Sequence, residues 1–147
     1  MLIEDSARGE IDPTNPVVVL CAAGMATEGD GAAALRLFEQ AWDARRDDYD
    51  ASIAAHFLAR QQADIAERLR WNMLAAQHAE LVVDGRTRGF MASLYLNLGD
   101  AFLAAGQPEE ARAALAKAAA GLADVSEGGY RSFVERGISG LRARLGS

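Results

Sequence analysis

The chain has 147 residues, with 21 acids against 15 bases for a formal net charge of −6; half its residues are apolar and only 7% are aromatic. That length suits one hydrophobic core and is short for two, and the acidic balance argues against a nucleic-acid partner, because affinity for phosphate comes from clustered Lys and Arg. Cys21 is the single cysteine, so no internal disulfide can form, and the longest mainly apolar run, Val17 to Ala26, is far short of the ~20 residues that span a bilayer.

Alanine runs such as Ala118 to Ala120 favour helix on intrinsic propensity, so the expected class is all-α. The opening Met-Leu-Ile-Glu-Asp lacks a basic and then apolar leader pattern, and the expected location is the cytoplasm. Charge is unevenly spread: Met1 to Asp50 holds 11 acids and 4 arginines, whereas Tyr130 to Ser147 holds 4 arginines and 1 acid. The two ends are complementary, which makes a homo-oligomer a further expectation.

Residues 1–14 show no periodicity and carry Gly9, Pro13 and four acids, so they are expected to form a flexible arm, with one domain over 15–147. Asn15 is a helix cap with Pro16 in the first helical position, where a missing N–H does no harm. The β-branched run Val17 to Val19 argues locally for strand, but helix is the expectation. A turn at Gly29, Asp30 and Gly31 leads to a second helix, where Leu35, Phe38, Trp42 and Arg45 trace a stripe that reads as inter-helix packing. A third helix is expected over about Asp48 to Gln62, and a long fourth over about Ala63 to Val83. In the fourth, Ile65, Leu69, Met73 and Ala76 make one apolar stripe, and Trp71, Leu74, His78 and Leu81 a second. His78 reads as core, and Asn72 as a hydrogen-bonding residue across a helix interface.

Ser93 to Ala118, SLYLNLGDAFLAAGQPEEARAALAKA, has the most informative pattern. Gly106 and Pro108 mark a turn between two helices, and Gly99 and Ala111 are small residues placed where those helices cross. Ser126 to Gly129 breaks the chain before a seventh helix carrying Tyr130, Phe133, Val134, Ile138 and Leu141. Gly137 and Gly140 weaken an exposed helix by roughly 1 kcal/mol each relative to alanine, so close contact is expected at one of them at least.

Tyr95, Leu98, Gly99, Phe102, Ala111 and Leu115 together resemble the landmarks of the tetratricopeptide repeat. Ala34 and Phe38 repeat the second half of that signature. The 77 residues from Ala34 to Ala111 exceed two 34-residue periods, so the middle repeat is elongated. The resemblance implies an antiparallel helix-hairpin solenoid of about three hairpins plus a C-terminal capping helix.

It also implies a concave groove, lined by the first helix of each hairpin, that receives a protein or peptide segment. Carried onto this chain, the groove residues are Tyr49, Ser52, His56 and Arg60 on the second hairpin, Ser93, Asn97 and Asp100 on the third, and Arg131 and Arg142 on the cap. An arginine there suits a carboxylate-bearing partner, because its fork donates two parallel hydrogen bonds. The competing reading pairs Arg60 and Asp100 with each other or with neighbours.

Catalytic templates fail. Gly24 and Gly29 copy the outer glycines of a phosphate loop, but Asp30 and Gly31 stand where Lys and Ser or Thr are needed. His78 and Glu80 lack the cysteine pair of a zinc deaminase, and Ser139 sits in no nucleophile elbow. Two histidines and one cysteine make a poor zinc site. The expected function is a non-catalytic adaptor or scaffold without a cofactor, with a small-molecule or signal-peptide sensor as the alternative and an enzyme as a third.

Overall fold

The computed structural model describes residues 12–146, and residues 1–11 of the expected 1–14 arm lie outside them. The protein is all-α, with seven α-helices: α1 (Pro16–Ala26), α2 (Gly31–Asp43), α3 (Asp48–Arg60), α4 (Ile65–Glu80), α5 (Met91–Ala104), α6 (Pro108–Gly121) and α7 (Gly129–Arg144). Single 3-10 turns, Arg88–Phe90 and Leu122–Asp124, precede α5 and follow α6. The described residues divide into two compact units, 12–83 with α1 to α4 and 84–146 with α5 to α7.

In the first unit the helix starts are set by side-chain oxygens that accept otherwise unpaired N–H groups. Asn15 caps α1 by accepting from Val17 N, Asp30 caps α2 through Ala33 N, Asp47 caps α3 through Asp50 N, and Asp64 caps α4 through Glu67 N. The Asp64 cap explains why α4 begins at Ile65 and not at Ala63. Capping and Pro16 carry α1 through its three valines, so local strand preference is overridden.

Buried Asp50 joins these starts. Its Oδ1 accepts from Asn15 Nδ2 at 2.7 Å, and its Oδ2 accepts from the Arg46 backbone N and Nε, both at 3.0 Å. Burial opposes ionisation of Asp50, but the bonds from Arg46 and Asn15 outweigh it and hold the carboxyl below its ordinary range.

α1 packs on α2 and α3, and α3 packs on α2 and α4. Gly24 of α1 faces Phe38 of α2, and a Cβ there would overlap the ring. Phe38 is buried and stacks on Phe57 of α3 with centroids 5.3 Å apart, so it has little room to yield. Gly24, which in the sequence only mimics a phosphate loop, is thus the small residue of the first hairpin. Between α3 and α4 alanines do the same: Ala51, Ala54, Ala55 and Ala59 are buried on one helix, Ala75, Ala76 and Ala79 on the other.

This corrects the expected faces of α4. Its buried line is Asn72, Ala75, Ala76 and Ala79, at three- and four-residue spacing, while Ile65 and Leu81 are exposed. Asn72 bonds within its own helix, Nδ2 donating to Arg68 O at 3.0 Å, not across an interface. His78 is half-buried, not core, and its Nδ1 is hydrogen-bonded to Asp48 Oδ1 at 2.8 Å.

In the second unit α5, α6 and α7 all pack on one another. Gly106, at φ +76°, closes α5 in the left-handed region where a side chain is strained, and Pro108 opens α6. Gly99 lies against buried Leu141 of α7 and the Ala111 carbonyl of α6, so one glycine admits both neighbours. On α7, Gly137 meets Leu96 and has no room for a Cβ, whereas Gly140 faces open space.

Two outcomes test this packing. Asp50→Ala strands the buried Asn15 amide and should cost at least about 1–3 kcal/mol, read as a lowered urea midpoint at unchanged m-value. Cys21 is fully buried and its thiol is pushed up to about 12 by burial. Native protein should therefore leave Ellman's reagent unreacted, and concentrated guanidinium chloride should release one thiol per chain.

Candidate binding groove

On α2, Leu35, Glu39, Trp42 and Asp43 fall on one face at helical spacing, and on α4 Glu67, Arg70 and Trp71 do the same. α3 lies between, with Leu58 in its last turn, and Gln62 follows just beyond the end of the helix. These nine residues line an open groove of about 530 Å³ within the first unit, inside the ~300–1,000 Å³ range of ligand sites.

The two indoles meet at one end of it. Trp42 and Trp71 are in edge-to-face contact, centroids 5.0 Å apart and planes at 82°. They are the only tryptophans of the chain. Arg45 covers Trp42, its guanidinium carbon 4.0 Å from the ring centroid, while Nη1 donates to the Trp42 carbonyl at 2.8 Å. Arg70 lies 4.5 Å over Trp71, and its Nε and Nη2 donate to the Glu67 carboxylate at 3.1 and 3.2 Å. Such exposed cation–ring contacts contribute roughly 0.5–1 kcal/mol each. Both arginines are therefore engaged, whereas Glu39 and Asp43 have no hydrogen-bond or ion-pair partner among the described residues.

Leu35 and Trp42 belong to the stripe expected for packing, and the structure gives that stripe an open side. Glu39, Asp43, Glu67 and Arg70 are absent from the candidates read from sequence, where they look like an ordinary solvated helix face. The one available signal was that both tryptophans fall on second helices of consecutive hairpins.

The expected groove residues divide between the units. Tyr49, Ser52, His56 and Arg60 are on α3, Ser93, Asn97 and Asp100 on α5, Arg131 and Arg142 on α7. Tyr49, Ser52 and His56 do not form an exposed polar stripe: every residue from Tyr49 to Ala59 is buried. Ser52 Oγ donates to the Tyr49 carbonyl at 2.7 Å. Arg60 is held by Glu28 through Nε at 3.1 Å and Nη2 at 2.7 Å, and Gln61 Nε2 donates to the same carboxylate at 2.9 Å. Asp100 pairs with Arg144, so it and Arg60 each have a neighbour and not one another. Ser93 Oγ is hydrogen-bonded to the Tyr130 hydroxyl. Arg131 Nη1 donates to the Leu122 and Val125 carbonyls, both at 2.8 Å, and closes the end of α6. Asn97 is half-buried, and Arg142 is exposed on the last turn of α7.

His56 sits edge-on to Phe57 at 4.9 Å, and its Nδ1 has no hydrogen-bond partner among the described residues. Burial, with the Arg60 charge adding to it, lowers the imidazole from 6.5 to about 3.

Among the described residues no helix is long and apolar enough to cross a membrane, and no group of three or more His, Cys, Asp or Glu is placed to hold a metal ion. Comparison with family models, curated proteins and solved structures returns no match.

The neutral burial of His56 sets a pH dependence. The unfolded chain takes up a proton below pH 6.5, while the native imidazole stays neutral until about 3. Stability should therefore fall with falling pH in that window by up to ~1.4 kcal/mol per unit. Urea midpoints from about pH 6.5 to 5, above the carboxylate range, should decline for the native sequence. His56→Gln should flatten the slope, and a flat native profile would overturn the assignment.

Proposed function

We propose that this chain is a non-catalytic helical repeat protein of the tetratricopeptide kind that acts as an adaptor by holding a segment of another protein. The observation that carries the reading is the open groove over α3 whose walls contain both tryptophans of the chain. Tryptophan is enriched where binding energy concentrates, because its large rigid surface is ordered at low entropic cost. An open trough suits an extended or helical segment better than an enclosed small molecule. The occupant would lie along the second helices of the first two hairpins.

Site-specific cross-linking tests this. A photoreactive benzoylphenylalanine at Gln62, a half-buried groove position, should trap a defined protein in extract of the source cell. The same group at Glu135, exposed on α7, should not. Leu35→Asn in the groove should weaken the cross-link while leaving helicity unchanged. Equal trapping from Glu135, or none from Gln62, counts against the reading.

A further inference from the structure

We infer that the occupant of the groove is a basic segment of another protein that carries Lys or Arg together with apolar side chains; this rests on the partner-binding reading above. The inference comes from how charge is arranged around the indoles. Of the three lining carboxylates, Glu67 is neutralised by Arg70, whose two nitrogens reach it at 3.1 and 3.2 Å. Glu39 and Asp43 are not neutralised. They stand four residues apart on α2 and so share one face, beside Trp42.

An occupant that covers the indoles must take water from those two carboxylates. An uncharged segment leaves two ions partly dried and unpaired, which is unfavourable. An acidic segment adds like-charge repulsion. A basic one replaces the lost hydration with charge-assisted hydrogen bonds, and its aliphatic stems can lie along Leu35, which is only half-buried. The arginines at hand cannot serve a partner carboxylate without giving up bonds they already make, since Arg45 is tied to the Trp42 carbonyl and Arg70 to Glu67. Their placement also shows that guanidinium groups lie well on these rings, at 4.0 and 4.5 Å from the centroids.

Selection from a random-sequence peptide display library tests the inference, with the full chain as bait and a Glu39→Lys/Asp43→Lys double variant as counter-bait. Enriched peptides should be basic and apolar. Because both tryptophans line the groove, a synthetic copy of the leading peptide should shift the intrinsic emission saturably. Glu39→Gln/Asp43→Asn should weaken that peptide at least tenfold, and added salt should weaken binding to the native chain more than to the variant. Acidic or uncharged winners that still shift tryptophan emission would overturn the charge inference and leave the partner-binding reading standing. Winners that bind equally to the counter-bait, or no winners, would overturn both. A concentration-dependent dimer of the chain alone, dissolved by the double variant, would make the occupant a second copy and overturn the assignment to another protein.

Discussion

The first unit depends on one buried carboxylate. Asp50 lies on α3, yet its oxygens are spent on the cap of α1 through Asn15 and on the approach to α3 through Arg46. Its own N–H is meanwhile the group that Asp47 caps. A single side chain, bonded to a residue 35 positions away in the chain, thus ties together the starts of two helices. Burying an ion is unfavourable unless its lone pairs are filled. Three donors fill them here, and the specificity follows: any other placement of α1 against α3 leaves Asn15 or Asp50 buried and unpaired.

Close approach of the helices follows from small residues. Gly24 admits Phe38, Gly99 admits Leu141, Gly137 admits Leu96, and alanines line the contact of α3 with α4. Where the core is made of alanine, large side chains are displaced to its margins. On α4 the buried line is Asn72, Ala75, Ala76 and Ala79, so Trp71 is left at the edge, half-buried, where it meets Trp42. The groove is a consequence of that choice: α2 and α4 both lean on α3, and the trough between them is floored by Leu58 and Gln62.

Much of this was legible in the sequence, and the unread parts share a cause. Caps and turns are local chemistry, so Asn15, Asp30, Gly106 and Pro108 could be placed without knowing the fold. Gly99 and Ala111 could be placed because small residues flanking a turn mark where two helices can approach closely. The faces of α4 could not, because its largest apolar residues are not its buried ones and hydrophobicity points to the wrong stripe. The polar stripe on α3 misled for the opposite reason. Tyr49, Ser52 and His56 look like surface, but α3 is covered along its whole length, and Ser52 answers its burial by bonding backward to the Tyr49 carbonyl. Glu39 and Asp43 carry no signal of their own, since an unpaired acid on a helix differs from a solvated one only by what stands beside it.

The arginines over the indoles bound what the groove can do. Two half-buried tryptophans side by side would expose apolar surface, and Arg45 and Arg70 cover it with side chains whose charged heads remain in water. A partner that contacts those ring faces must move these side chains aside, so its cation–ring contacts replace existing ones and add little net free energy. On the proposed reading, what a partner would add is apolar contact with Leu35 and neutralisation of Glu39 and Asp43. Affinity on this basis would be modest and salt-sensitive. Discrimination is sharper than affinity, because a wrong occupant meets unpaired charge while the right one only exchanges contacts. The proposed adaptor would on these terms be reversible, releasing readily and rejecting segments that do not carry the complementary charge.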